Sequence, residues 1–304
     1  MKIKFMKAAI LVEQNQPLLI DEVELPKKLD FGQVLVQLHY SGICGSQLGE
    51  IAGIKGADPY LPHLLGHEGS GIVIETGPNV THVKVGDHVV LHWRPGIGIE
   101  SQPPKYKWKG NILNAGYVTT MNEYAVVSEN RITPIPFNTD KKVASLFGCA
   151  VTTGFGVIEN NAQLKIGESI VVFGSGGIGL NVVQAAALVS AYPIIAIDCY
   201  DNRLELSSEL GATHIINSHN KNVKEKIIEI VGQDNLDVFI DNTGQPDIIT
   251  MGYQITKREG RIILVGVPHS GSNISIHSLP LHFGKYLSGS HGGETTPELD
   301  IPRY

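Results

Sequence analysis

Cysteine is scarce in this chain: there are three in 304 residues, and Cys44, Cys149 and Cys199 lie far apart. An odd number at wide spacing excludes a disulfide framework and indicates a reducing compartment, which predicts a cytoplasmic protein. Long apolar runs are also missing, because no segment reaches the roughly 18–20 residues that span a bilayer. The net charge of -6 shows no excess of positive charge, which argues against nucleic acid or an anionic membrane as a partner.

The first half of the chain has the texture of a β-rich domain. It opens with lysines and apolar residues, but the apolar run from Ala8 to Val12 is short, Glu13 follows it and no small-residue cleavage site is present. We therefore expect a strand there rather than a signal peptide. Short alternating segments separated by Gly, Pro and Asp predict further strands. These segments are KAAILVE, QVLVQLHY, GIVIETG and DHVVLHW.

The pattern changes after about Thr152 to alternating strands and helices. A strand-like SIVVFG precedes GLNVVQAAALVSA, which has helical spacing, and a strand IIAID precedes a helix that ends near Gly211. The buried strands LDVFIDN and RIILVGV follow, with a helix between them. This β-α-β alternation predicts a doubly wound parallel sheet. The fold class is therefore α/β, with a domain boundary near residue 151.

A glycine-rich turn at residues 174–179, GSGGIG, follows the first of these strands and opens a helix. In a dinucleotide-binding turn the first glycine allows the tight turn, the second admits the pyrophosphate and the third lets the helix pack on the strand. A carboxylate at the end of the next strand can bind the ribose hydroxyls and repel a 2′-phosphate, which favours NAD over NADP. The basic residue just beyond it could approach the ribose or be an ordinary surface charge. The candidate residues are Gly174, Gly176, Gly177, Gly179, Asp198 and Arg203.

Three residues far apart in the sequence form a candidate zinc-ligand set. Cys44 lies in SGICGS, His67 in GHEGSG and Cys149 in FGCAVTTG. A single cysteine or histidine is more often part of a core than a ligand. Together, two thiolates and one imidazole are a donor set of catalytic zinc sites that leaves a fourth position open, and thiolates select zinc over calcium or magnesium. Cys199 has no such company and is expected to be a structural thiol.

The GHE tripeptide, combined with a later dinucleotide fingerprint, is similar to the zinc-containing medium-chain dehydrogenase/reductase superfamily, which includes alcohol dehydrogenases. The resemblance runs from about Met6 to the end of the chain. It implies that Cys44, His67 and Cys149 bind the catalytic zinc, with Glu68 behind the metal or transiently on it. It also implies a proton relay, cofactor contacts and a substrate pocket. The residues concerned are Ser46 for the relay, Thr153, Ile178, Val265 and Val267 for the cofactor, and Ser46 and Trp93 for the pocket.

This resemblance implies a GroES-like β-barrel catalytic domain over residues 1–150, to which residues 292–304 return, and a Rossmann domain over 151–291. The implied activity is hydride transfer between NAD(H) and an alcohol or aldehyde, or a related secondary alcohol or ketone, in which zinc as a Lewis acid eases loss of the hydroxyl proton. The active site is expected in the cleft between the domains, where closure excludes water. A homodimer or homotetramer is expected along the Rossmann sheet edge, near NISIHSLPL, which is predicted to be an apolar strand.

Three of the departures from the family pattern bear on the predicted site and chain. The segment RPGIGIESQPPKYKWKGNILNAGYVTT has no cysteine where many members carry a four-cysteine structural-zinc lobe. We therefore expect one zinc per subunit and an ordered loop or small hairpin there. Gln47 replaces a frequent Asp and is expected to accept from the imidazole N–H of the zinc histidine. The chain also ends at Tyr304, sooner than its relatives, which predicts a C-terminally truncated form.

Two alternative functions remain open on the sequence. A zinc-free medium-chain reductase of quinones or enones shares both domains but does not need the Cys44, His67 and Cys149 set. A truncated relative that binds the cofactor without turnover is the second alternative. The intact ligand set argues against this second alternative, whereas the early end of the chain argues for it.

Overall fold

The computed structural model of the protein describes residues 3–54, 56–219, 222–269 and 271–304. The chain forms two compact units. The first ends at Thr152 and also includes Thr296–Tyr304, and the second spans Thr153–Thr295.

The first unit is built on two five-stranded antiparallel sheets. Its strands are β1 (Phe5–Leu11), β2 (Leu19–Glu24), β3 (Gln33–Ser41), β4 (His63–Leu64), β5 (Glu68–Thr76), β6 (His88–His92), β7 (Tyr106–Trp108), β8 (Asn111–Leu113), β9 (Tyr124–Ser128) and β10 (Ile132–Pro134). One sheet has the order β4-β1-β2-β7-β8 and the other β10-β6-β5-β3-β9. Along β1, Met6, Ala8 and Ile10 are buried while Phe5 and Lys7 are exposed, which is the alternation of a strand with one face on a core. The predicted strands of the first half are confirmed in β1, β3, β5 and β6.

Short helical segments connect these strands and carry parts of the candidate site. They are α1 (Gly45–Ile51), a 3₁₀ turn at Glu129–Arg131, α2 (Lys141–Ala144), a 3₁₀ turn at Ser145–Gly148 and α3 (Ala150–Gly156), which continues as π-helix over Val157–Ala162. The boundary between the two units falls within α3.

The cysteine-free segment after β6 contains a small hairpin, as predicted. Strands β7 and β8 pair antiparallel, and the two residues between them, Lys109 and Gly110, both have positive φ values of 50° and 79°. Two left-handed residues are what a two-residue hairpin turn requires. The Trp108 indole N–H donates to the Asp21 carboxylate at 2.9 Å and ties the hairpin to β2.

The second unit is a six-stranded parallel sheet with helices along its connections. Its strands are β11 (Ile170–Phe173), β12 (Ile194–Asp198), β13 (His214–Asn217), β14 (Leu236–Asp241), β15 (Thr256–Leu264) and β16 (Tyr286–Gly289), and its helices are α4 (Gly177–Leu188), α5 (Asp201–Glu209), α6 (Val223–Val231) and α7 (Pro246–Ile255). The order is β13-β12-β11-β14-β15-β16. Strand order reverses between β11 and β14, and such a switch point is where doubly wound sheets bind nucleotides. The predicted α/β fold class is confirmed.

The prediction of a strand at NISIHSLPL is wrong. Residues 273–278 have no regular secondary structure, and Leu279–Phe283 form a 3₁₀ turn. The free edge of β15 is paired with β16 instead, so this segment has no ladder to join. Pro280 also lacks the N–H that a ladder needs.

The last helix, α8 (Pro297–Arg303), packs on the first unit. Its Ile301 is buried with Val90 of β6 and Ala144 of α2. Within the described ranges, no single helix has both the length and the hydropathy of a membrane span, and the segments 141–148 and 150–162 meet that test only when taken together.

Candidate active site

Three donor atoms from distant parts of the chain meet in the first unit. Cys44 caps the N-terminus of α1, His67 lies between β4 and β5, and Cys149 follows the 3₁₀ turn before α3. The ligand atoms of the three side chains all lie within 4.8 Å of one another. This spacing is what three protein ligands around one metal ion require, because zinc–sulfur and zinc–nitrogen bonds are about 2.0–2.3 Å long.

The chemistry of these three side chains fits a zinc ion. The His67 Nε2 is buried and has no partner at normal hydrogen-bond geometry among the described residues, and the His67 side chain lies close enough to the Cys44 sulfur to help lower the pKa of Cys44. A hydrogen bond from Cys149 makes the largest contribution to lowering the pKa of Cys44 from 9.0 to about 3. Cys44 is therefore a thiolate at neutral pH, which is the form that binds metals. The set consequently offers an anionic sulfur and an imidazole nitrogen to a cation.

Glu68 begins β5 directly after His67, and its side chain is 2% exposed. Burial raises the pKa of Glu68 to about 7, although the backbone N–H of Ala150 donates to its Oε2 at 3.2 Å and opposes that effect. Its carboxylate is not one of the three mutually close donors. Glu68 therefore lies beside the set and links its strand to the segment that carries Cys149.

Two glycines that the sequence did not single out make room for Glu68. A Cβ on Gly42 would lie 2.4 Å from the Glu68 Oε1. A Cβ on Gly148 would lie 2.2 Å from the carbonyl oxygen of Leu91 and 2.7 Å from the Glu68 Cβ. Contacts this short do not occur between real side chains, so both positions need glycine. Gly148 stands directly before Cys149. This position beside a candidate zinc ligand is the sequence signal by which Gly148 could have been found.

Ser46 and Gln47 both contact Cys44. The hydroxyl and backbone N–H of Ser46 hydrogen-bond to the Cys44 sulfur and help to lower its pKa. Gln47 is buried, and its Oε1 accepts from the backbone N–H of Cys44 at 2.8 Å. The expectation that Gln47 accepts from the imidazole of His67 is therefore wrong, because its oxygen lies on the start of α1. Gln47 positions the cysteine and not the histidine.

Trp93 directly follows β6 and is half-buried. The guanidinium of Arg94 lies 5.7 Å from the centroid of the Trp93 ring. The backbone carbonyl of Trp93 accepts a hydrogen bond from the Arg131 guanidinium. These contacts fix the backbone at the start of the cysteine-free segment.

The glycine-rich turn in the second unit has the geometry predicted for two of its glycines. Gly174 has a φ of +93°, and a Cβ on Gly179 would lie 1.9 Å from the Gly174 carbonyl oxygen. In contrast, nothing lies within 4 Å of a Cβ on Gly176 or Gly177. The turn is therefore closely packed on its inner side and open over its middle glycines. That open space, at the N-terminus of α4, fits a pyrophosphate.

Asp198 ends β12 and is almost fully buried. Its Oδ2 accepts from the backbone N–H of Ser175 at 2.7 Å, and its Oδ1 accepts from Tyr200 at 3.1 Å. The guanidinium of Arg203 lies 3.5 Å from the Oδ2, and it also stacks 4.7 Å from the Tyr200 ring centroid. The structure thus brings Asp198 and Arg203 together next to the glycine-rich turn.

The ends of β14 and β15 add residues to the same edge of the sheet. Asp241 is fully buried, and its carboxylate accepts from Gly244 at 2.9 Å and from Thr243 at 2.6 Å. Asn242 donates to the Gly174 carbonyl at 3.2 Å. Sequence reasoning missed Asp241 and Asn242, although their place at the end of a buried strand was a usable signal.

The remaining candidate cofactor residues lie at different depths within the second unit. Thr153 is buried in α3, and Ile178 packs partly buried against the core of the sheet. Val265 donates its N–H to the Asp241 carbonyl at 2.8 Å, whereas Val267 is 69% exposed. Three of these residues follow the carboxyl ends of parallel strands: Ile178, Val265 and Val267. Thr153 lies instead in α3, before the first strand of the sheet.

Comparison with known proteins shows the family of the chain. Residues 30–137 match the alcohol dehydrogenase GroES-like domain, and residues 177–302 match the zinc-binding dehydrogenase family. The S-(hydroxymethyl)glutathione dehydrogenase of Synechocystis sp. is 32% identical over 97% of this chain and 87% of its own length. This chain belongs to the zinc-dependent medium-chain alcohol dehydrogenase family.

Other members of the zinc-dependent alcohol dehydrogenase family show the same relation. The alcohol dehydrogenase class-3 of Cereibacter sphaeroides is 31% identical over 98% of this chain and 88% of its own length. The crystal structure of benzyl alcohol dehydrogenase from Acinetobacter calcoaceticus superposes with a TM-score of 0.89 at 28% identity, covering 99% of this chain and 88% of that one. The chain is accordingly a zinc-dependent oxidoreductase of alcohols and aldehydes that uses a nicotinamide cofactor. The zinc-free quinone or enone reductase is not favoured.

Proposed function

We propose that Cys44, His67 and Cys149 hold the catalytic zinc of this alcohol dehydrogenase, with Glu68 beside the metal. The observation that carries this proposal is the convergence of three ligand atoms within 4.8 Å, together with a buried imidazole nitrogen that has no partner at normal hydrogen-bond geometry among the described residues. The lowered pKa of Cys44 supports it, because the thiolate is already formed at neutral pH.

The side chains around the set orient the substrate and move its proton. Ser46 is placed to take the proton of the substrate hydroxyl at its Oγ and pass it outward, because it lies beside the Cys44 sulfur in the first turn of α1. Gln47 fixes the backbone of Cys44, and Trp93 is proposed to form a wall of the substrate pocket. When bound, zinc supplies a Lewis acid for the substrate oxygen, and the nicotinamide supplies the hydride acceptor or donor.

We propose NAD(H) as the cofactor. The open space over Gly176 and Gly177 suits the pyrophosphate. Asp198 ends the second strand of the nucleotide-binding sheet, where a carboxylate binds ribose hydroxyls and repels a 2′-phosphate. Arg203 contributes a cation beside that carboxylate, with Tyr200 under its guanidinium. Thr153, Ile178, Val265 and Val267 are proposed to contact the cofactor from the second unit.

We propose that the substrate is a primary alcohol or its aldehyde. The relatives compared above are named for S-(hydroxymethyl)glutathione and for benzyl alcohol, and both of these compounds carry a primary hydroxyl. A primary alcohol also has one substituent fewer at the reacting carbon than a secondary alcohol, so it needs less space in a pocket bounded by the bulky side chain of Trp93.

We further propose a cytoplasmic homodimer or homotetramer. Cys44 and Cys149 form no disulfide, and thiols that bind zinc must stay unoxidised, which suits a reducing compartment. The edge strand β16 carries exposed Tyr286, and exposed Phe283 lies just before it, so a second copy could pair along this edge. Light scattering on the purified protein measures the oligomeric state directly.

The substitution Cys44→Ser tests the zinc assignment. The variant should lose one zinc ion per chain, measured by mass spectrometry, and turnover of primary alcohols should fall by more than the roughly 10–100-fold that loss of an outer-shell partner costs. NADH binding, measured by fluorescence titration, should persist because it uses residues of the other unit. The control Cys199→Ser removes a thiol that lies outside the set and should keep its zinc.

Two outcomes would contradict the assignment. A Cys44→Ser protein that keeps its zinc and its turnover would show that another residue holds the metal. A protein that loses NADH binding together with its zinc would show that Cys44 is mainly structural.

Wild-type protein that binds NADH and zinc but oxidises no alcohol of a broad panel would favour the non-catalytic relative.

A further inference from the structure

A second group of metal-binding side chains lies in the first unit, outside the Cys44, His67 and Cys149 set. We call Glu50, Asp58 and His63 the Glu/Asp/His cluster. Glu50 is in the last turn of α1, Asp58 is in the connection to β4, and His63 begins β4. One ligand atom from each residue lies within 4.8 Å of the other two. The side chains of His63 and Asp58 are each only 10% exposed, so this is a built site and not a chance surface grouping.

Both ring nitrogens of His63 face acceptor oxygens. Its Nδ1 lies 2.9 Å from the backbone carbonyl oxygen of Leu64, and its Nε2 lies 2.8 Å from the Asp58 Oδ2. A carbonyl and a carboxylate can only accept hydrogen bonds, whereas a neutral imidazole has a single N–H to donate. A metal cation on one nitrogen would therefore satisfy an acceptor for which a neutral imidazole has no second donor.

The contact to Leu64 decides which nitrogen is available to a metal. A histidine that ligates a metal almost always donates its other ring N–H to a carboxylate or a backbone carbonyl, which fixes the tautomer. His63 has this arrangement, because the Leu64 carbonyl holds the Nδ1 proton. The Nε2 then faces the Asp58 Oδ2 at 2.8 Å, and one ligand atom of Glu50 lies within 4.8 Å of the ligand atoms of His63 and Asp58.

The backbone around the cluster is held in place before any ion binds. The Gln14 side chain donates to the carbonyl of Glu50 at 3.3 Å and to the carbonyl of Gly56 at 3.1 Å, and it accepts from the N–H of Asp58 at 3.3 Å. One amide thus connects the end of α1 with the loop that carries Asp58. Preorganisation of this kind lowers the entropy cost of closing a site around an ion.

We propose that the Glu/Asp/His cluster is a second metal site, which binds a divalent transition-metal ion such as Zn²⁺ through one imidazole and two carboxylates. One nitrogen and two oxygens suit zinc and its neighbours, and they leave at least one position for water. The ion takes the place of the proton on Nε2, so binding releases that proton to solvent. The site contains no thiolate, which distinguishes it chemically from the Cys44, His67 and Cys149 set.

An ion here stabilises the segment that carries two candidate catalytic ligands. Cys44 directly precedes α1, and His67 follows β4 after two residues. The cluster connects the end of α1 to the start of β4, so a bound ion ties together the two elements next to those ligands. The protein would then hold more metal than the one catalytic zinc that its sequence predicts.

Metal stoichiometry at equilibrium with excess Zn²⁺ tests this proposal. We expect two ions per chain in the wild type, one in Cys44→Ser, one in His63→Gln and none in the double variant. His219→Gln, which removes an exposed histidine of the other unit, is the matched control and should keep two. Glu50→Gln, on the surface of a helix, is the second variant should His63→Gln fail to fold. It should weaken the second ion at least about tenfold, as loss of an outer-shell partner already does.

Cobalt replacement identifies the site by its ligands. In the Cys44→Ser variant, Co²⁺ should bind through the Glu/Asp/His cluster. Its spectrum should lack the thiolate-to-cobalt charge-transfer band that two cysteine ligands would give, and binding should release a proton. A folded Cys44→Ser protein with no stoichiometric metal would overturn the proposal and leave His63 and Asp58 as a simple ion pair. A second ion that survives in both His63→Gln and Glu50→Gln would overturn it too. Neither result bears on the catalytic zinc, whose loss is read from the Cys44→Ser variant alone.

Discussion

Asp198 accepts a hydrogen bond at 2.7 Å from the backbone N–H of Ser175, in the middle of the glycine-rich turn. The carboxylate proposed to select NAD is therefore also the group that holds the turn against the end of β12. Replacing Asp198 alters two properties at once, and the design of a cofactor-specificity experiment has to separate them.

The substitution Asp198→Ala should weaken NADH binding and destabilise the cofactor-free protein. A hydrogen bond to a charged group contributes about 1.5–3 kcal/mol, which corresponds to roughly a 10- to 150-fold loss of affinity. Asp198→Asn keeps one acceptor for Ser175 and should cost less stability while still losing the charge that repels a 2′-phosphate. Titration with NADH and NADPH, together with thermal unfolding without cofactor, separates the two roles. An unchanged ratio of NADH to NADPH affinity in both variants would show that Asp198 does not set the preference for NADH.

The glycines of the same turn give a matched pair of substitutions. Gly179→Ala places a Cβ 1.9 Å from the Gly174 carbonyl oxygen and should destabilise the protein by about 1–3 kcal/mol, as overpacking does. Gly177→Ala meets no atom within 4 Å, so its stability should hold while NADH affinity falls because the methyl group takes the place of the pyrophosphate. Urea unfolding and NADH titration of both variants check this contrast. Equal effects of the two substitutions on stability would contradict the packing argument.

Glu68 should make the stability of the metal-free protein depend on pH. Burial raises its pKa from 4.5 to about 7 in the folded chain, so between these values the folded state binds more protons than the unfolded state. The contribution of Glu68 therefore becomes less favourable as pH rises from about 4.5 to 7, by about 3 kcal/mol in total. Glu68→Gln removes this dependence, and Gln can still accept from the backbone N–H of Ala150.

The measurement is the difference in unfolding free energy between Glu68→Gln and wild type, both metal-free, at several pH values from 4 to 8. The unfolding free energy of the variant, relative to that of the wild type, should increase as pH rises and should then reach a plateau above pH 7. Taking the difference cancels the titration of groups that do not interact with Glu68. Cys44, whose charge helps to raise the pKa of Glu68, is coupled to it and is part of the measured difference. A difference that stays constant with pH would show that Glu68 titrates normally.

Glu129 should be the main anchor of the cysteine-free segment. It is 1% exposed and accepts from the backbone N–H groups of Thr81 at 2.6 Å, of Ile99 at 3.0 Å and of His82. Burial by itself would raise the pKa of Glu129, but these three donors outweigh it and lower the pKa. Glu129→Gln removes the charge and puts an amide N–H against donors, so we expect a loss of about 3 kcal/mol.

Urea unfolding and limited proteolysis near Ile99 measure the effect of Glu129→Gln. The control is Glu123→Gln, because Glu123 accepts one exposed hydrogen bond, from Lys7 at 2.8 Å, and surface substitutions usually change stability by within about 0.5 kcal/mol. Similar losses in the two variants would show that the buried carboxylate is not the anchor.

The parts of the fold that were predictable depend on short-range patterns. The alternation in β1 and β3, the glycine-rich turn and the helix that follows it are local features. The Cys44, His67 and Cys149 set was recognisable because these residue types form a known zinc donor set, even though more than a hundred residues separate Cys44 from Cys149.

Features that depend on tertiary contacts were not predictable from these patterns. The alternation in NISIHSLPL suggests a strand, but β16 occupies the edge of β15 that it would need. Gln47 lies beside a candidate zinc ligand in the sequence, and only the start of α1 shows that it bonds to Cys44 and not to His67. Gly42 and Gly148 are ordinary glycines until Glu68 is placed between their segments.

The carboxylate of Glu129 has one more consequence, which concerns biosynthesis. Through Glu129 the amide of Ile99 in the cysteine-free segment is joined to the amides of Thr81 and His82 between β5 and β6. This junction can form as soon as its neighbours are folded, without waiting for metal delivery or for a particular thiol oxidation state. This region should therefore be native in freshly made apoprotein, and zinc starvation of the producing cell should leave it intact while emptying the catalytic position.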